Sequence, residues 1–123
     1  MHMSFPMINF KITNAEVSDQ LKTVAENKLS TLDKYFGDSP AVCDLEFERI
    51  TNHHQQGNIF RIEVNLEVAG KLFRAEATAE TFEIAIDEVK SDLERALESE
   101  RGKREALWKK GARRVKEMMQ WGG

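Results

Sequence analysis

The sequence contains one cysteine, Cys43, and two prolines in 123 residues. One thiol cannot build a disulfide framework and suits a reducing, cytoplasmic setting, so the fold must rest on a packed core. No apolar run approaches the roughly eighteen residues of a membrane span. Residues 1–6, Met-His-Met-Ser-Phe-Pro, lack the long apolar stretch of a secretory signal and read as a leader or expression remnant, with Met7 a natural start. Glycine loops that cradle phosphate, paired cysteines and nucleophile elbows are all missing. His53-His54 is the one local hint of a metal site, but neighbouring loop side chains diverge and no third ligand is in view. Carboxylates are plentiful on solvated faces, yet no acid/base pair stands out. The expectation is a protein with no metal, no cofactor and no catalytic residues. It is not expected to be an enzyme.

What is present is patterned. Residues 7–13 alternate, with Ile8, Phe10 and Ile12 on one side of a half-buried strand. Ser18 suits an N-cap, and Leu21, Ala25, Leu29, Leu32 and Phe36 recur at helical spacing until Gly37 supplies a stop. Cys43, Leu45 and Phe47 then alternate with Asp44, Glu46 and Glu48. Residues 51–58 form a polar loop. Phe60, Ile62, Val64, Leu66 and Val68 alternate with charged residues, Ala69-Gly70-Lys71 turns the chain, and Phe73, Ala75, Ala77 and Ala79 follow as a second arm. The alanines imply a helix lying close over that last strand. Thr81 or Glu80 opens a helix with Phe82, Ile86, Val89, Leu93 and Leu97 on one stripe.

The order is β-α-β-β-β-α. Every strand has one apolar and one charged face, so the expected class is α+β: an open sandwich of four strands with two helices on one face. Glu48, Arg61, Glu63, Arg74 and Glu76 are left for cross-strand pairing on the open face.

Charge divides the chain. Through Glu100 the net charge is −9; from Arg101 onward it is +6, which together give the overall −3. Gly102 is expected to interrupt or end the second helix, leaving a globular domain at 7–101 and a basic amphipathic helical tail at 102–123. In that tail Leu107, Trp108, Val115, Met118 and Met119 share one arc, opposite Lys109, Lys110, Arg113, Arg114 and Lys116. Gly111 costs about 1 kcal/mol relative to alanine, so a frayed helix is expected there. A basic face of this kind can bind nucleic-acid phosphates, lie on an anionic membrane, dock in a partner's groove, or only improve solubility.

The segments LKTVAENKLSTLDKYF, IFRIEVNLEVAGKLFRAEATAE and TFEIAIDEVKSDLERAL, taken in order, resemble the ribosome hibernation promoting factor and ribosome-associated inhibitor family, in its short, sigma-54 modulation protein-like form. The resemblance covers about residues 7–105. It implies a fold like a double-stranded-RNA-binding domain with an added first strand. It also implies a stress or stationary-phase factor that occupies the mRNA and tRNA channel of the small ribosomal subunit and inhibits translation.

Contacts are then expected from Lys22, Lys28 and Lys34 on the first helix and Arg95 and Arg101 on the second, set against ribosomal RNA phosphates. Asp92 stands where the family usually has lysine, with Lys90 nearby as a substitute. Thr31, Ser99 and Glu100 also replace basic positions. The RNA-binding charge is therefore expected to have moved to Arg101, Lys103, Arg104, Lys109, Lys110, Arg113, Arg114 and Lys116. The expected partner is the small subunit and its RNA, with no DNA and no membrane, and a monomer off the ribosome. The chain is also expected to lack the separate C-terminal domain of long members. The alternative is a protein-interaction or membrane-surface module that presents the basic helix.

Overall fold

A computed structural model describes residues 6–51 and 57–121, those from 108 onward by backbone alone. His53-His54 and most of the leader lie outside the described residues. The elements are β1 (Ile8–Thr13), α1 (Asp19–Ser30), a 3-10 turn (Thr31–Tyr35), β2 (Ala41–Thr51), β3 (Asn58–Val68), β4 (Lys71–Ala79) and α2 (Phe82–Trp121). The strands form one sheet in the order β1-β2-β3-β4. β2, β3 and β4 are antiparallel neighbours, whereas β1 runs parallel to β2. That parallel pair requires a crossover, and α1 supplies it.

One apolar cluster joins the sheet to both helices. Phe47, Ile62, Val64, Phe73, Leu32, Ile86 and Leu93 are all buried in it, together with Cys43 and Leu45. Burial pushes the Cys43 thiol up to about 12, so it acts as a small hydrophobe. Phe82 meets Phe47 and Phe60 edge-on at 5.2 and 4.8 Å, fixing the start of α2 over the sheet. Ala75 and Ala77 are buried where α2 packs on β4, as their small size implies. Ile12 departs from its expected place: it is 41% exposed, because β1 is an edge strand.

Caps place both helices. Ser18 Oγ accepts from the Leu21 amide at 3.1 Å, and Thr81 Oγ1 accepts from the Ile84 amide at 3.2 Å. The first helix does not stay α-helical to Phe36. It tightens at Thr31, where the hydroxyls of Ser30 and Thr31 donate to the carbonyls of Asn27 and Lys28, each at 2.8 Å. Such local bonds compete with the helix ladder. Gly37, at φ +58°, then ends the turn. The β3–β4 hairpin closes on Ala69 and Gly70 alone, both at positive φ. Gly70 adopts this freely, while Ala69 tolerates it as a single residue.

The expected break at Gly102 is corrected. α2 runs as one helix from Phe82 to Trp121, through Gly102 and Gly111. A glycine ends a helix by turning left-handed, and Gly102 has no positive φ. Two i,i+4 ion pairs straddle it, Arg104–Glu100 at 3.7 Å and Arg101–Glu105 at 3.6 Å, and both favour continuation.

Candidate nucleic-acid interface

The open face of the sheet carries its charges in pairs. Arg61 is the hub, half-buried, with Glu46 at 3.2 Å, Glu48 at 3.1 Å, Glu76 at 2.6 Å and Glu63 in contact. Arg74 reaches Glu63 at 3.1 Å, so the five residues expected to pair across strands do so. Thr13 donates to Glu46 at 2.7 Å; this bond, with those from Arg61 and the nearby Lys11, holds the Glu46 carboxyl below its ordinary range against the opposing effect of burial. Acids outnumber bases here, and the face offers nothing to a polyanion.

The helical side is different. Lys22 on α1 sits 5.8 Å from the centre of the Phe10 ring. Lys28 does not stand free: it bonds Asp87 of α2 at 2.5 Å. Lys34, on the 3-10 turn, meets Glu94 of α2 at 3.3 Å. Tyr35 adds a second bridge, its hydroxyl 2.8 Å from Glu98 and 3.2 Å from Glu94. The single hydroxyl proton serves one carboxylate at a time. Burial, then Glu98 and Glu94, raises the Tyr35 pKa well above its ordinary value. Lys34, and then Tyr35 and nearby cations, lower the Glu94 carboxyl despite some desolvation. On α2, Lys90 is half-buried and Arg95 is exposed with Asp92 as its i,i+3 partner. Sequence reading missed this pattern: acids on α2 answer the lysines on the neighbouring element. Asp87 and Glu94 lie two turns apart on one face, a spacing visible in the sequence, but their partners are set by how the helices pack.

The structure brings Lys34, Arg101 and Arg104 to one place, beside Glu100 and Tyr35, where α2 passes the β3–β4 turn. Lys71, read only as a turn residue, bonds Glu100 and ties the hairpin to α2. That bond, with Arg104 and Lys103 close by, lowers the Glu100 pKa against desolvation. Beyond Leu97 no described residue of α2 is buried, and 101–107 are exposed throughout. The side chains of Lys109, Lys110, Arg113, Arg114 and Lys116 lie outside the described residues; their backbone continues the same helix. Among the described residues, no group of three or more His, Cys, Asp or Glu is placed to hold a metal, and no helix is long and apolar enough to cross a membrane.

Residues 8–105 match the family model described as Sigma 54 modulation protein / S30EA ribosomal protein. The chain is 32% identical over 93 residues to the ribosome hibernation promotion factor of Lactococcus lactis, covering 74% of this chain and 48% of that protein. It is 34% identical over 85 residues to the protein of the same name in Deinococcus radiodurans, covering 68% and 43%. It therefore spans less than half the length of these relatives. Among solved structures it is similar to the Thermus thermophilus Protein Y N-terminal domain, with TM-score 0.62, 24% identity, and coverage of 73% and 93%. A ribosomal subunit interface protein from Coxiella burnetii gives TM-score 0.63 at 16% identity, covering 77% and 97%. These two likenesses concern the fold.

Proposed function

The chain belongs to the sigma 54 modulation protein / S30EA ribosomal protein family, and on that premise we propose that it is a cytoplasmic hibernation factor that binds the small ribosomal subunit and blocks translation stoichiometrically. The observation that carries the reading is the extent of the family match, which takes in all four strands, α1 and the packed part of α2. Relatives named for ribosome hibernation point the same way. In this reading the binding surface is the helical side. Lys22, Lys28, Lys34, Lys90 and Arg95 form its body. Arg101, Lys103, Arg104 and the five later basic residues of α2 extend it. Occupation of the mRNA and tRNA channel of the small subunit needs phosphate contacts that position the protein, with no base sequence to read.

Co-sedimentation with purified small subunits tests this. Binding should saturate at a fixed stoichiometry and weaken steeply as salt rises severalfold, because neutralised phosphates release counterions. Cell-free translation should fall in proportion to ribosomes occupied. Binding indifferent to salt would overturn the RNA reading, and silencing by substoichiometric protein would overturn the blocking mechanism.

A further inference from the structure

Where α2 passes the β3–β4 turn and the 3-10 turn, three elements enclose a cleft of about 230 Å³. Its floor is apolar, made by Val68, Phe73 and Leu97. Tyr35 forms one wall, and Lys34, Arg101 and Arg104 stand at the rim. The Tyr35 ring beside apolar side chains, with three cations and the Glu100 carboxylate around them, suits a ligand that is aromatic at one end and anionic at the other. Pockets that enclose a drug-sized molecule run to roughly 300–1,000 Å³. This one is smaller, so it suits one inserted ring on a ligand that otherwise stays outside.

We propose that this cleft is a subsite for one unpaired nucleotide of RNA, its base on the Val68–Phe73–Leu97 floor against Tyr35 and its phosphate held by Lys34, Arg101 and Arg104. The proposal rests on the ribosome-binding reading above and deepens it by naming what part of an RNA the site takes. A paired base is excluded because its edge and faces are occupied by its partner and neighbours in the stack, whereas splayed bases stack on protein rings and on guanidinium planes. The rim favours arginine, whose planar fork matches a phosphate.

Glu100 gives the site its sharpest test. Its carboxylate lies at the rim, bonded to Lys71 and 3.7 Å from Arg104 Nε, where a bound phosphate would compete for the same cations. Removing its charge should therefore improve binding, a gain that damaged folding cannot produce.

The experiment is an amide-resolved NMR titration of the full chain with adenosine 5′-monophosphate, ribose 5-phosphate, inorganic phosphate, a single-stranded tetra-adenylate, the same strand in a duplex, and a hexaglutamate peptide. Saturable shifts should centre on Tyr35, Val68, Phe73, Leu97 and Arg104. Tetra-adenylate should bind at least about fivefold tighter than the mononucleotide, because it adds flanking phosphate contacts. Arg104→Ala should weaken both about tenfold, and Glu100→Gln should tighten both severalfold.

Any one of the following results would overturn the proposal. Ribose 5-phosphate or phosphate matching the mononucleotide would leave no role for the base. The duplex matching the single strand would leave no role for an unpaired residue. Hexaglutamate matching the RNA would make the site a general polyanion or acidic-peptide surface. A mononucleotide as tight as tetra-adenylate would make the ligand a free nucleotide. Co-sedimentation of the same proteins with small subunits separates the two readings: an intact complex with no nucleotide shift removes the cleft alone, and a saturating cleft with no subunit complex removes the ribosome reading.

Discussion

The two halves of α2 share one unbroken helix and one kind of periodicity, yet they are held by different things. Residues 82–100 carry seven carboxylates against Lys90 and Arg95, and their apolar stripe from Phe82 to Leu97 is buried on the sheet. Residues 101–121 carry eight cations against Glu105 and Glu117. Their apolar arc begins at Leu107, which is 68% exposed. In the first half three of the acids are tied down from neighbouring elements, Asp87 by Lys28, Glu94 by Lys34, and Glu100 by Lys71. In the second the described ion pairs stay within the helix. An amphipathic face states that a partner is needed. It does not say which partner, and here the first half finds it inside the chain while the second carries the charge sign that suits an RNA.

Stability is where the two halves should differ most. Leu93 is fully buried in the core, so Leu93→Ala should cost about 2–5 kcal/mol in urea unfolding. Leu107→Ala should change stability by no more than about 0.5 kcal/mol, the range for exposed sites. Equal losses at the two positions would mean that the second half packs on the body after all.

Affinity should divide the other way. Deleting residues 102–123 removes Lys103, Arg104, Lys109, Lys110, Arg113, Arg114 and Lys116 while leaving the buried stripe intact. Small-subunit affinity should fall at least about tenfold, and the salt slope should flatten as phosphate contacts are lost. Thermal unfolding should scarcely move. Asp92→Lys in the shortened protein should recover part of the affinity. A shortened protein that binds as tightly as the full chain would place the whole interface on 7–101.

A smaller effect tests the tied-down acids. Asp87→Asn and Glu94→Gln release Lys28 and Lys34 for phosphate. Subunit affinity should rise about two- to fivefold at low salt, the scale of partly exposed pairs, and the gain should vanish at high salt. The same neutral substitutions at Glu105 should matter less, since that pair already lies on the basic half. No gain from either substitution would mean that those lysines do not face RNA.

Much of this was legible in the residues and some was not. Period-two alternation marked every strand, Ser18 and Thr81 announced the helix starts, and the alanines of β4 announced the helix above them, because each depends on neighbours in the chain. The tightening at Thr31 was hidden because Leu29, Leu32 and Phe36 keep helical spacing across it. Gly102 misled because its residue type suggests a stop, while the ion pairs across it favour continuation. The cleft joins residues up to 70 positions apart, Lys34 and Arg104, and the bridges to α2 join residues up to 63 apart, Tyr35 and Glu98. Their existence depends on the rotation of two packed helices, which no local pattern records. The basic positions were legible as residues, but not which of them the fold would pair with acids.

The smallest expected effect concerns pH, and it belongs to the first half of α2 alone. Tyr35 is the chain's single tyrosine, so phenolate absorbance reports on it directly. Burial, then the bonds and charges of Glu98 and Glu94, hold its proton on past the ordinary range near 10. A group whose folded pKa is raised contributes stability that is fully present below the unfolded value and is lost as pH rises through the folded one. The folded protein should thus show phenolate only well above pH 10, with stability declining through that alkaline range, while the urea-unfolded chain should titrate near 10. Tyr35→Phe should remove this alkaline decline and change little at neutral pH. Deleting 102–123 should leave most of the shift in place, because Tyr35 is partly buried against the core and its partners Glu98 and Glu94 lie in the packed half. A native phenol that titrates near 10 would mean the contact between Tyr35 and the two carboxylates does not hold in solution, and the first half of α2 would then be joined to its neighbouring turn by Lys34 and apolar packing alone.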